Sequence, residues 1–176
     1  MSEIRYSNAN VHALPLLLDI IDSTTFLFED FRPSWRLHEE IEAASATGLS
    51  LGRGEYIIGF QDHSPFGFVG LYENEECGEL FGPFLYRDYF RKGLGTLLFH
   101  EICNLARSKE MTIIYSLLPN NATWAISFFT HCGFESISDE PEIIKRWCDG
   151  LLADKKIPEY SLLMAILLEP EDSVSH

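Results

Sequence analysis

The stretch Leu85-Tyr86-Arg87-Asp88-Tyr89-Phe90-Arg91-Lys92-Gly93-Leu94-Gly95-Thr96 ends a strand-like run, turns on two glycines and opens an apolar helical stripe. The first turn of a helix carries free backbone N–H groups and a partial positive charge. Glycines let an anion approach that backbone closely, and Arg91 and Lys92 add charge beside it. These residue types in this order suit a pyrophosphate. The segment is not a G-x-x-x-x-G-K-[ST] loop, and Leu98 stands where a dinucleotide fingerprint needs its third glycine. Read alone, it is equally a tight strand-to-helix turn that needs small residues.

Metal and disulfide chemistry find little support. Cys77, Cys103, Cys132 and Cys148 are far apart, with no C-x-x-C pair, and the six histidines are scattered. Reduced thiols of a cytoplasmic protein are the plain expectation.

The cradle needs a strand before it and a helix after it. Residues 78–86 read as that strand. The helix runs from about Leu94 to Lys109, with Leu94, Leu97, Leu98, Ile102 and Leu105 toward a core and His100, Glu101, Asn104 and Arg107 away from it. Met111 to Leu118 is a continuous apolar run, as expected of a strand covered on both faces. A helix follows from about Asn121 to Cys132, with Ala125, Phe128, Phe129 and Cys132 on one side and Gly133 as its stop. Strands are expected at residues 134–138 and 160–168. Between them Pro141 opens an inserted helix, with Ile144, Trp147, Cys148 and Leu151 at helical spacing.

Upstream, a short strand near Ile4 precedes a helix with Leu14, Leu17, Leu18 and Ile21 on one face and Pro15 in its first turn. A second helix is expected from Ser34 to about Gly48, with Leu37, Ile41 and Ala44 on one face. Strand-like runs at 55–61 and 66–73 flank a loop at His63-Ser64-Pro65. The order β-α-α-β-β-β-α-β-α-β-(α)-β implies an α/β class, in the α+β sense: a mixed sheet with helices on both faces.

The 176 residues suit one domain, expected over 1–168 with an insertion at about 139–157 and a flexible tail at 169–176. With 46% hydrophobic and 23% charged residues, the chain is ordinary for a globular protein. No stretch approaches the ~20 apolar residues of a membrane span, and no signal peptide is expected from Met1-Ser2-Glu3-Ile4-Arg5, which lacks a basic start followed by an apolar run. A net charge of −14 disfavours nucleic acid and mildly favours a cationic partner, although acidity also serves solubility.

The run Arg91-Lys92-Gly93-Leu94-Gly95-Thr96, then an amphipathic helix, a buried strand, Asn120-Asn121, a helix and His131-Cys132-Gly133-Phe134, resembles the GNAT superfamily of N-acetyltransferases. That family carries Q/R-x-x-G-x-G/A after its fourth strand, then a strand, an Asn and a helix ending in G-F. The likeness is close over residues 79–134, and the element order extends it over the chain. It implies a mostly antiparallel central sheet with one parallel, splayed strand pair. It also implies acetyl-CoA as cosubstrate, no metal, and acetyl transfer to a primary amine of a small molecule or peptide.

On this likeness, Leu85 and Arg87 offer backbone groups to the pantetheine arm. Arg91, Lys92, Gly93, Leu94, Gly95 and Thr96 hold the pyrophosphate, and Asn121 contacts the cosubstrate near the following helix. The family Asn itself falls at Ala122. Glu79 takes the place of the glutamate that histone-acetylating relatives use as a base; it also stands among several acids at 73–79 that water alone would explain. Two positions depart from the pattern. Phe90 occupies the first Q/R position, and Phe129 occupies the place of a tyrosine that protonates the departing thiolate.

For the acceptor, Glu29, Asp30, Glu39, Glu40 and Glu42 form either a cation-attracting cluster or a solvated face. Phe26, Phe28, Phe31 and Trp35 form either an aromatic pocket or a cap on the core. The insertion around Trp147 closes over the acceptor or makes a homodimer contact. A non-catalytic acyl-CoA sensor, or an interaction protein of the same fold, is the alternative to an enzyme.

Overall fold

The computed structural model describes residues 2–24, 27 and 54–170. The second helix expected from Ser34, its acidic residues and the aromatic group around Trp35 lie outside them, as does most of the tail. Among the described residues, seven strands and four α-helices follow in chain order: β1 Ile4–Asn8, α1 Leu14–Ser23, β2 Gly54–Gln61, β3 Ser64–Asn74, β4 Cys77–Leu85, α2 Leu94–Ser108, β5 Ile113–Pro119, α3 Thr123–His131, β6 Glu135–Ser138, α4 Pro141–Gly150 and β7 Ser161–Leu167. One sheet contains all seven strands in the order β1-β2-β3-β4-β5-β7-β6. Among the described strands only β4 and β5 pair in parallel. The mixed sheet with one parallel pair matches the expectation.

Both faces of the sheet are covered, so its central strands lose the apolar–polar alternation of a half-exposed sheet. Tyr56, Ile57, Ile58 and Gly59 of β2 are all buried. Tyr56, Ile58 and Phe68 pack with Leu17, Ile20 and Ile21 of α1. Ile57, Leu71, Leu80 and Ile114 pack on the other face with Leu98 and Ile102 of α2 and Phe129 of α3. A third cluster joins Tyr115, Leu163 and Ala165 to Ile144 of α4 and to Leu152. Helices α1 and α4 therefore share one face, and α2 and α3 the other.

Several boundaries differ from expectation. The β2–β3 turn is Asp62-His63, with Asp62 left-handed (φ 56°), and Ser64 and Pro65 already belong to β3. A bulge at the Gly59/Phe60 register turns Phe66 onto the α2 face, where its ring lies over Gly59. On α2, Leu97 is exposed, and Phe99, Cys103 and Ala106 complete the buried stripe instead. The inserted helix loses helical geometry at Trp147, and Cys148 and Asp149 are left-handed (φ 51° and 55°). This break lets Trp147 meet Tyr115 edge-on, at 5.4 Å between ring centres, while Leu152 enters the core. Cys148, expected on the apolar stripe, is exposed.

Candidate active site

Strand β4 runs between two partners but leaves one of them early. Its parallel pairing with β5 covers only Cys77↔Ile113, Gly78↔Ile114 and Glu79↔Tyr115. Beyond that point β4 continues with β3 to Leu85, and β5 continues with β7 to Pro119. A bulge helps β4 to bend away: Phe68 and Gly70 of β3 face Phe84 and Phe81 of β4, so β4 holds one extra residue there, within Gly82-Pro83. Gly82 is left-handed (φ 83°) and its peptide bond to Pro83 is cis. The buried Ser116 hydroxyl donates to the Leu80 carbonyl at 3.1 Å, the last tie across the fork.

A cavity of about 580 Å³ occupies this fork. Its mouth is the turn that opens α2. Gly93 is the N-cap residue, left-handed (φ 77°, ψ 0°) and without a side-chain cap, so the first N–H groups of α2 stay open to a ligand. Arg91 is also left-handed (φ 58°), which brings successive N–H groups together in the manner of an anion nest. A side chain added at Gly93 would meet nothing within 4 Å; at Gly95 it would stand 3.3 Å from the Phe128 ring. The two glycines thus have different reasons: backbone conformation at Gly93, helix–helix approach at Gly95. The Thr96 side chain bonds to the Cys132 thiol, which burial pushes up to about 11 against that bond.

Leu85, Arg91, Gly93, Leu94, Gly95 and Thr96, all expected at a cosubstrate site, line the cavity. Lys92 lies outside its wall, over the Tyr89 ring at 5.5 Å, and Arg87 and Asn121 are also outside it. Ala122 is fully buried as the N-cap residue of α3. Phe90 stands in the wall, and so does Phe129, whose ring packs 4.8 Å from Phe134. The middle of the cavity is apolar, with Phe81, Phe84, Leu118, Trp124 and Phe128. An apolar stretch between two polar ends suits a flexible chain that leads from a phosphate group.

At the inner end lies Glu79, 13% exposed. Lys155, 27% exposed, forms an ion pair with its Oε2 atom. The Tyr115 hydroxyl lies 3.5 Å from the same oxygen and accepts from Asn74 Nδ2 at 3.0 Å. Burial, with the Glu79 charge behind it, holds the Tyr115 hydroxyl well above its usual range. At the other edge Tyr86 donates to Asp19 of α1 at 2.5 Å, and burial and that bond push the tyrosine up to about 12. This bond pins α1 beside the end of β4.

Sequence reasoning missed Lys155, Ser116, Ser161, Phe81 and Phe84 as wall residues. Trp124 had a weak signal, one turn before Phe128 on the same helix. Lys155 had none, being 76 residues from Glu79. Among the described residues no group of three or more His, Cys, Asp or Glu is placed to hold a metal ion, and no helix is long and apolar enough to cross a membrane.

No curated protein matches the chain in sequence. Solved structures share its fold at low identity. PaiA N-acetyltransferase from Thermoplasma acidophilum, in complex with coenzyme A, is 15% identical with a TM-score of 0.70, over 94% of this chain and 99% of that one. The ribosomal-protein-S18-alanine N-acetyltransferase of Escherichia coli is 16% identical with a TM-score of 0.67, over 99% of each chain. N-acetylglutamate synthase from Neisseria gonorrhoeae, complexed with coenzyme A and N-acetyl-glutamate, is 16% identical with a TM-score of 0.65, over 96% of this chain and 36% of that one. The family model for the acetyltransferase (GNAT) family matches residues 19–134, which span the cradle, the fork and α3. With that match over most of its length, this chain belongs to the GNAT acetyltransferase family.

Proposed function

We propose that this protein transfers an acetyl group from acetyl-CoA to a primary amine of a small molecule or peptide, by direct attack. The observation that carries the reading is the single cavity that joins the α2 cradle to Glu79 through the β4–β5 fork. The pyrophosphate would bind to N–H groups of residues 91–96, with Lys92 adding charge outside the wall, and Arg87 would offer a backbone group to the pantetheine arm. The pantetheine arm would follow Leu85 and β4, and Asn121 would touch the cosubstrate from beyond the cavity edge.

Each step has a chemical requirement. The thioester carbonyl becomes an oxyanion on attack, and backbone N–H groups of β4 past the fork are the donors at hand. The amine must be neutral to attack, so its proton must leave. Glu79 is the acceptor proposed for that proton, directly or through water. Phe129 cannot protonate the departing thiolate. The compartment consistent with four free thiols is the cytoplasm.

Calorimetric titration with acetyl-CoA, followed by amine-dependent release of coenzyme A, tests the reading. Micromolar binding with release only when an amine is added supports it. Binding without release favours the sensor alternative, to which the buried Phe129 points. No binding removes both.

A further inference from the structure

The amine nearest to the proposed base belongs to the protein itself. Lys155 lines the same cavity as Gly93, Gly95 and Thr96, and its Nζ atom donates to Glu79 Oε2. A lysine with its ammonium on the carboxylate that is to take its proton, inside the cavity that is to hold the thioester, has the arrangement of a bound acceptor.

Its backbone is anchored on both sides. The Lys155 N–H donates to the carbonyl of the fully buried Leu152 at 3.1 Å. On the other side, the Ser161 hydroxyl donates to the Pro158 carbonyl at 2.7 Å, and Ile157 packs against the third core cluster. The chain therefore presents this amine as a tethered reactant, without the loss of translational freedom that a free amine would suffer. No other lysine among the described residues lies in the cavity wall. Lys109 is drawn to Glu55 at 2.7 Å, and Lys92 lies over Tyr89.

We infer that Lys155 is a site of self-acetylation, served by the same cavity and the same glutamate. The inference rests on the acetyl-transfer reading above. The Lys155 ammonium passes a proton to Glu79, and the Nζ lone pair attacks the thioester carbonyl carbon. The C–N bond forms as the C–S bond breaks. The second Nζ proton, lost as the amide forms, passes to the departing thiolate, so coenzyme A leaves, a neutral acetyl-lysine remains, and Glu79 gives its proton up to water.

The experiment is incubation of the whole protein with acetyl-CoA and no added amine, read by intact mass and peptide mapping. One acetyl group per chain is expected, on Lys155, at a rate independent of protein concentration. Glu79→Gln should slow it by roughly a hundredfold, the scale of a positioned general base. Lys155→Arg keeps the positive charge and should leave its peptide unmodified. Acetyl-CoA binding and amine-dependent release with Lys155 unmodified would overturn this inference and leave the acetyl-transfer reading standing. Acetylation spread over Lys92, Lys145 and Lys156 and indifferent to Glu79→Gln would reveal chemical acetylation and overturn it too. No acetyl-CoA binding would remove both.

Discussion

The Ser116 hydroxyl donates to the Leu80 carbonyl at 3.1 Å, one residue past the last β4–β5 pair on each strand. It ties the two strands at the point where they part. Ser116→Ala leaves the Leu80 carbonyl without this partner, at a cost of about 1–3 kcal/mol. The same variant should bind acetyl-CoA more weakly, because the fork is then free to shift. Urea denaturation and calorimetry read the two effects, and normal values in both would show that the fork is set elsewhere.

The glycines of the cradle should fail differently. Gly93→Val forces a β-branched residue into a left-handed conformation, for about 1–2 kcal/mol, and should abolish coenzyme A binding with the fold retained. Gly95→Leu drives a side chain toward Phe128 and should cost about 1–3 kcal/mol through overpacking. Circular dichroism during thermal melts, beside a binding titration, separates the two. A Gly93→Val protein with full affinity contradicts the cradle.

Glu79→Gln keeps the shape of the inner end and removes its charge. Acetyl-CoA affinity should stay within about twofold, while turnover of an added amine near neutral pH falls by roughly a hundredfold. The pH–rate profile is the decisive readout. If it keeps its shape in the variant, Glu79 is not the base.

Three thiols bear on alkaline stability. Burial pushes Cys77 and Cys132 up to about 11 and Cys103 up to about 12, with the Cys148 thiol adding to the effect at Cys77. A thiol raised in the folded state stabilises it fully below the unfolded value of about 8.5. As pH rises past that value the unfolded chain loses protons that the folded chain keeps, so stability falls until the folded values are reached. The urea midpoint should therefore decline from about pH 8.5 upward. Exposed Cys148 should be alkylated well before the other three. A flat midpoint, or early labelling of Cys103, would contradict this.

The parts of the site that lie close in sequence were legible there. Arg91, Gly93 and Gly95 could be read because a strand, a turn and a helix start need local residue types. The apolar run at β5 was read as a strand covered on both faces, and Ile114 and Tyr115 are indeed buried on opposite sides. What escaped was set by long-range pairing. A single bulge moves Phe66 to the other face, which no period of two can anticipate. Leu97 fits an apolar stripe by spacing, yet Phe99 and Cys103 take the core side. Lys155 meets Glu79 across 76 residues of sequence, beyond a break in helical geometry at Trp147–Asp149.

The short β4–β5 contact has a mechanical meaning. Three backbone pairs form the seam between a four-stranded half, β1 to β4, and a three-stranded half, β5 to β7. A molecule lodged between the two strands below that seam touches both halves at once and acts as a removable rivet. Its binding energy adds to the cohesion of the whole sheet by mass action. Amide hydrogen exchange along β4 and β5 should then slow together when the cleft is filled, while the distant β1–β2 ladder responds less.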